Sequence, residues 1–344
     1  MTGDIRTILD LSHAAESLRM EMRITKIFEK HNWTTERGMY YADIDTGKIR
    51  EIDVFAKKIF ERPQVCKVSG PLISMDVFCE CKSLVGSNVL LSPGKLPRFH
   101  RDEMMRYWVG VEEDLQKIVL NIAEQANVKN RGAIKALFDY VMSRAYPRND
   151  AAVISPVSMR CPPVDLIARG FRETKNGKDD RDLESEKARI NPIWAAIQSS
   201  RSAMSAAITK SRNFAFDSIH GYELMFYGID NFIDWASNYL DTELLRLSYF
   251  HPMIVVKSKL WKLDENEISE VMSARIVISS IGYDHFYVDI VNYSYIERYI
   301  ELMISQFSKE SRRSVSEVWK QLQNSEWMPG QAEGSLRAAL GLKS

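Results

Sequence analysis

The stretch Ile73-Ser74-Met75-Asp76-Val77-Phe78-Cys79-Glu80-Cys81-Lys82 decides the fold, together with Arg50-Glu51-Ile52-Asp53-Val54-Phe55-Ala56 upstream of it. Side chains alternate across a β-strand. In the upstream stretch Glu51, Asp53 and Phe55 then share one face, and Ile52, Val54 and Ala56 share the other. In the downstream stretch Glu80 and Lys82 share a face with Asp76 and Phe78, while Met75, Val77, Cys79 and Cys81 look the opposite way. Both strands combine an apolar face suited to a core with a face that gathers carboxylates. Crowded like charges on a sheet are costly unless something offsets them, and a divalent cation is the usual offset.

Outward from these strands the pattern changes twice. Toward the N-terminus, residues 7–31 read as a helix, with Leu11, Ala14, Leu18, Ile24 and Phe28 near one face. Met39-Tyr40-Tyr41 reads as a strand, and Asp45-Thr46-Gly47 supplies turn chemistry before the strand at Ile49–Ala56. Gly70-Pro71 marks the turn into Ile73–Lys82. The opening order is helix, strand, strand, strand. Beyond Ser83, residues 103–146 read as largely helical and 160–183 as irregular. Helices follow at 193–211 and 222–247, then a buried strand at Met253–Val256. A hairpin is expected from Ala274–Ile281 and His285–Val291, and a helix at 295–307. The tail, 324–344, reads as loosely attached.

Bulk composition narrows the function classes. The chain has 344 residues, 45% hydrophobic and 27% charged, enough for one large domain with an insertion or for two domains. Basic and acidic residues balance at 46 each, which argues against a passive coat on nucleic acid while leaving room for a local basic groove. Four cysteines, Cys66, Cys79, Cys81 and Cys161, are too few and too uneven for a disulfide framework. The first twenty residues lack the apolar stretch of a signal peptide, and no run is apolar for long enough to span a bilayer. The expectation is a cytoplasmic protein with no membrane contact.

Arg50-Glu51-Ile52-Asp53, followed after a spacer by Phe78-Cys79-Glu80-Cys81-Lys82, resembles the Asp…Glu-x-Lys signature of the PD-(D/E)xK nuclease superfamily. Tyr41-Ala42-Asp43-Ile44-Asp45-Thr46-Gly47-Lys48 resembles the first hairpin of restriction-endonuclease-like members. The resemblance covers roughly residues 18 to 83, and the proline of the superfamily name is absent, since Ile52 precedes Asp53. It implies an α/β fold, a restriction-endonuclease-like mixed sheet core in the order helix–strand–strand–strand–helix–strand. It also implies that Asp53 and Glu80 bind Mg²⁺, with Mn²⁺ able to substitute, and that Lys82 positions and deprotonates the attacking water. Many members add a helix glutamate. Glu21 fits that role, while Glu16 and Glu29 sit more to the side. The competing reading is an exposed sheet on which Glu51, Asp53, Glu80 and Lys82 form solvated ion pairs.

Other stretches carry weaker signals. Ser92-Pro93-Gly94-Lys95 lacks the glycine spacing and the Ser or Thr of a phosphate loop. The six histidines show no metal-ligand spacing, and Cys79 and Cys81 read as small core residues. Arg98, Arg101 and Arg106, interleaved with Phe99, Tyr107 and Trp108, form a basic and aromatic stretch suited to phosphates and bases, or else a solvated helix start. Gln198 lies on the helix that would follow the third strand and could touch the site.

The organisation expected is 1–83 as the first part of a nuclease core with its active site, and 84–189 as a mainly helical insertion. Residues 190–308 complete the core or form a second α+β domain, and 309–344 form a helical segment and a loose tail. The expected function is a Mg²⁺-dependent endonuclease hydrolysing phosphodiester bonds, with DNA favoured over RNA although no residue separates the two, in a restriction or defence setting, with a homodimer or partner subunit as an option. The alternative is a non-catalytic nucleic-acid or protein-binding module that retains a nuclease-like fold.

Overall fold

The computed structural model describes residues 13–43, 46–60, 64–65, 68–69, 72–84, 87–95, 105–108, 120, 123–124, 129–145, 161–175, 178–179, 191–219, 246–279, 285–309 and 329–342. The first element, α1 (His13–Lys30), buries Met20, Ile24, Ile27 and Phe28. Leu18, expected on that face, is instead 52% exposed, because the buried stripe is centred one residue pair away, on Met20 and Ile24. The helix stops at Asn32, whose φ of 60° is a left-handed helix end of the kind Gly and Asn favour. There the Asn32 N–H donates to Glu29 O at 2.9 Å and the Trp33 N–H to Phe28 O at 3.2 Å. Lys58 Nζ donates to the neighbouring His31 carbonyl at 2.6 Å, so the spent helix carbonyls are satisfied where the chain reverses.

The reversal feeds an antiparallel meander of β1 (Thr34–Ala42), β2 (Ile49–Phe60) and β5 (Leu72–Lys82), with the short ribbon β3 (Gln64–Val65) and β4 (Val68–Ser69) between the last two. The β1–β2 turn is built by Asp43: its carboxylate accepts the Thr46 N–H at 3.0 Å and pairs with Arg50 Nε at 2.6 Å. Gly47 closes it with φ 66°.

Downstream lie β6 (Ser87–Pro93), β7 (Met105–Trp108), α2 (Arg131–Ala145), β8 (Leu166–Lys175), β9 (Lys178–Asp179) and the long α3 (Pro192–Ile219). Then come β10 (Arg246–Val256), β11 (Lys259–Leu263), β12 (Ile268–Val271), β13 (Ser273–Ser279) and β14 (His285–Asn292). Two helices follow, α4 at 296–309 and α5 (Pro329–Leu340). The fold is mixed α/β. Its main sheet has 12 strands in the order β1-β2-β5-β10-β14-β13-β8-β6-β11-β12, with β7 added to β10 and β9 to β8. The β10 strand runs parallel to β5 along its whole length, so the strands β10 to β14 share one sheet with β1, β2 and β5. Helix, three antiparallel strands, helix and parallel strand therefore occur in chain order as α1, β1, β2, β5, α3 and β10.

The sheet is larger than that core, and it returns on itself. From β10 the ladder passes through β14, β13, β8 and β6 to β11, and β11 begins after only Lys257 and Ser258 beyond β10. The consecutive pairs β5/β6 and β10/β11 thus behave as two bent parallel strands. Hydrogen bonds from Ser258 Oγ to Leu84 O (2.6 Å), from Asn292 Nδ2 to Ser258 O (2.9 Å) and from Trp261 Nε1 to Asn88 Oδ1 (3.0 Å) pin the bend.

Two cores follow from the two sides of this sheet. On one side α1 and α4 cover Val54, Ala56, Met75, Val77, Cys79 and Val255. On the other, α3 presents Ile193, Ala196, Ile197 and Met204 to Phe78, Val89, Leu91, Leu166, Ile254 and Ile276. Each fully buried aliphatic side chain contributes about 1.5–3 kcal/mol. The first core also encloses ions: Arg275 makes a two-armed bond with Asp289 (2.7 Å on each arm), Tyr299 OH donates to Asp289 Oδ2, and His251 Nε2 meets Tyr299 OH at 3.0 Å. This cluster ties β10, β13, β14 and α4 together.

The expectation of a mainly helical insertion at 84–189 is corrected. Its described residues include the strands β6, β7, β8 and β9 beside α2. Val89 with Leu91, and Leu166 with Ala168, bury at a spacing of two, and partners far along the chain, β11 and β13, complete their ladders. Met105–Trp108, expected within a helix, pairs with the first half of β10 as a strand. Arg246 and Leu247, expected to end a helix, open β10. The expected loose tail carries α5, which packs on α2.

Candidate active site

The site forms where two strands part. Antiparallel pairing of β2 with β5 ends at Val54 opposite Cys79. Continued, the register would place Ile52 opposite Cys81, but the side chain of Asp53 takes that position and accepts the Cys81 N–H at 2.6 Å. Beyond the fork the faces of β2 no longer alternate as the sequence pattern suggests. Ile52 packs with the α3 core, whereas Val54 and Ala56 pack with the α1 core. The expectation that all three share one face is thereby corrected, and the reason is the parting of β2 from β5. Gly38, which the β1–β2 register sets across from Asp53, has φ 61° at the same level.

Lys82 reaches back into the fork. Its Nζ lies 2.6 Å from Glu80 Oε2 and 3.5 Å from Asp53 Oδ2, so one ammonium is shared by two carboxylates from two strands. Glu80 is only 3% exposed, which rules out the solvated ion-pair reading for this residue. Its second oxygen, Oε1, accepts the Ser199 hydroxyl of α3 at 2.6 Å. Tyr41 OH in turn donates to Ser199 O at 3.0 Å and lies 3.2 Å from Ser199 Oγ.

The electrostatics follow from burial and crowding. Burial raises the Glu80 carboxyl above the ordinary glutamate range, nearby Asp53 adds to this, and Lys82 and Ser199 pull against it. Burial works against the Lys82 charge, but Glu80 and Asp53 outweigh it and hold the ammonium more firmly protonated than an ordinary lysine. Glu21 is half-buried on the flank of α1, where its Ser17 hydrogen bond measures 3.4 Å. Its carboxyl is raised first by burial and next by Asp53, with Glu51 adding to the crowding. The end of β5 is docked to α1 by Glu16, which accepts from Ser83 Oγ at 3.0 Å and pairs with Lys257. Glu16 is thus engaged away from the fork, and Glu29 accepts from Thr35 Oγ1 at 2.9 Å.

Asp53, Glu80 and Lys82 therefore meet in one place, and Glu21 stands close enough to feel both Asp53 and Lys82. Among the described residues no group of three His, Cys, Asp or Glu side chains is arranged to hold a metal ion. The convergence seen is of two carboxylates on one ammonium. Sequence reasoning missed Ser199 and Tyr41. It singled out Gln198, whereas its neighbour Ser199 carries the hydrogen bond to Glu80. A serine inside an apolar helical run gives no sequence signal of this kind, and Tyr41 reads as an ordinary hairpin aromatic.

Arg98 and Arg101 lie outside the described residues. Arg106 lies on β7, opposite Tyr249 of β10 in the register. Cys79, Cys81 and Cys161 are buried and make no disulfide among the described residues. No helix among the described residues is long and apolar enough to cross a membrane. Comparison with protein-family models, with curated proteins and with solved structures finds no match to this chain.

Proposed function

We propose that the chain is a metal-dependent nuclease of the PD-(D/E)xK kind, hydrolysing phosphodiester bonds in DNA in a restriction or defence setting. One observation carries the reading: Asp53, Glu80 and Lys82, the residues that match the Asp…Glu-x-Lys signature, come together at a strand fork with Glu21 beside them. The succession α1, β1, β2, β5, α3, β10, with β10 parallel to β5, supports a restriction-endonuclease-like core inside the larger sheet.

The donor set fits Mg²⁺. Two carboxylates that already share a single positive charge suit an ion that takes one or two carboxylates and fills its remaining positions with water and phosphate. Asp53 and Glu80 would hold it, with Glu21 as a third donor. When bound, Mg²⁺ supplies Lewis-acid charge relief and a more acidic bound water. Lys82 keeps a proton and a positive charge at the mouth of the fork, where it can position water or meet charge developing on the phosphate. Ser199 and the Cys81 N–H fix the two carboxylates from behind.

The alternative, a nucleic-acid-binding or protein-binding module with a nuclease-like fold, is favoured by one observation. Lys82 already neutralises both carboxylates, and among the described residues no three-ligand group accompanies them. The experiment that separates the two is incubation of the purified chain with plasmid, single-stranded DNA and RNA, with and without Mg²⁺ or Mn²⁺, beside Asp53→Ala. Metal-dependent cleavage lost in the variant is expected. Binding without cleavage under every condition selects the alternative.

A further inference from the structure

Every donor around Glu80 can be assigned a direction. A carboxylate only accepts, so the single Ser199 hydroxyl proton must go to Glu80 Oε1, across 2.6 Å. Ser199 Oγ then has only lone pairs to offer Tyr41, so across their 3.2 Å separation it can take only a share of the single Tyr41 hydroxyl proton. The nearer acceptor of that proton is the Ser199 carbonyl at 3.0 Å, so one phenol O–H spans the carbonyl and the hydroxyl of the same residue. Tyr41, Ser199 and Lys82 thus form a one-way set of donors ending on the two oxygens of a single carboxylate, Oε1 held from α3 and Oε2 held from β5.

We propose that Ser199 is a positioning residue of the nuclease centre, and that the Tyr41–Ser199 hydroxyl chain fixes the rotation of the Glu80 carboxylate for metal binding. The inference rests on the nuclease reading above. Without the Ser199 hydroxyl, Oε1 loses its donor and the carboxylate is free to turn both oxygens onto Lys82. That rotation would draw the ammonium further from Asp53, already at the longer distance of 3.5 Å, and break the convergence on which a shared cation depends. Groups behind a metal ligand typically control about 10–100-fold in affinity or activity.

The test uses the full chain and Mn²⁺ as the probe, read by titration calorimetry and by single-turnover cleavage of plasmid at saturating Mn²⁺. Ser199→Ala is expected to weaken Mn²⁺ binding by about 10–100-fold, Ser199→Thr to restore most of it, and Tyr41→Phe to fall between. At saturating Mn²⁺ the Ser199→Ala cleavage rate is expected to recover more fully than the affinity. A role in packing alone would not give rescue by threonine together with this split. If Ser199→Ala does not fold, Ser199→Thr and Tyr41→Phe carry the test. Wild-type affinity in Ser199→Ala, or in Tyr41→Phe where that variant carries the test, overturns the proposal. So does a Ser199→Thr variant as weak as Ser199→Ala. A wild-type chain that neither binds Mn²⁺ nor cleaves overturns the nuclease reading itself, and does so before any Ser199 variant is made.

Discussion

The carboxylate of Asp53 accepts the backbone N–H of Cys81 from the neighbouring strand at 2.6 Å, in the place where a ladder hydrogen bond would otherwise continue. One side chain therefore ends a pairing and faces Lys82 at the same time. Asp53→Ala leaves a buried N–H without an acceptor, and a loss of about 1–3 kcal/mol is expected in urea unfolding. Asp53→Asn retains an acceptor and is expected to lose less. In both variants the rise in thermal stability with Mn²⁺ should disappear. An Asp53→Ala protein as stable as the wild type would show that relief of charge crowding outweighs the lost cap.

Lys82→Ala is expected to lower single-turnover cleavage by about 10²–10⁴-fold while nucleic-acid binding persists. Lys82→Arg should not restore the rate, because a planar guanidinium fork cannot take the place of the compact ammonium between Glu80 and Asp53. Stability carries a second signature. Glu80 already holds its proton more tightly in the folded chain than an ordinary glutamate, chiefly through burial, and removing Lys82 strengthens this. A folded-state carboxyl raised in this way loses stability as pH rises through the window above the ordinary glutamate value. The stability gap between wild type and Lys82→Ala should therefore be widest near neutral pH and narrow toward acid. A gap independent of pH would mean that Glu80 is not the partner Lys82 neutralises.

Gly38 has φ 61°, and a Cβ there would lie 2.7 Å from Glu51 Oε1. The carboxylate tip can swing away, but the backbone cannot relax as cheaply. Gly38→Ala should cost about 1–2 kcal/mol from the left-handed conformation alone. The same cost is expected in a Glu51→Ala background. If that background removes it, the contact and not the backbone is responsible.

His251 is completely buried, and burial, with Arg275 adding to it, draws its pKa down to about 4 against the opposing pull of Asp289. The unfolded chain takes up the proton first, near an ordinary histidine value, so stability falls as pH drops from there to about 4. The integrated loss is about 3 kcal/mol, at 1.36 kcal/mol for each unit of pKa difference. Its sign is opposite to that of Glu80 and Glu21. The contribution is isolated by comparing urea midpoints of wild type and His251→Gln between pH 7 and 4. Parallel curves for the two proteins would exclude His251 as the source.

The parts legible in the sequence were those whose signal is local. The β5 strand showed itself through the alternation of Met75, Val77, Cys79 and Cys81, all of which are buried in one core. The Asp53, Glu80 and Lys82 cluster was legible through its resemblance to the Asp…Glu-x-Lys signature, while strand alternation placed only Glu80 and Lys82 on one face. The parting of β2 from β5 was not, since it depends on a side chain of one strand replacing a backbone acceptor for the other. Ile52 moved to the other core for that reason. The strands β6 and β8 were missed because their partners, β11 and β13, lie far along the chain. Ser199 was missed because only the crossing of α3 over β5 brings it to Glu80.

The return of the ladder from β10 to β11 has a consequence for how the chain is made. Residues as far as Lys82 complete the fork and leave the ribosome early, yet the free edge of β5 is covered only when β10, ending at Val256, has been synthesised. Until then β5 is an unpaired, apolar edge, open to pairing with another nascent chain. Contacts this remote in sequence also slow folding, because loop closure precedes the reward of pairing. A chain stopped before Arg246 is therefore expected to aggregate rather than to form a small independent nuclease core. Sedimentation of such a truncation, compared with the full chain, is the direct measurement, and a soluble monomer would show that the early strands protect their own edge.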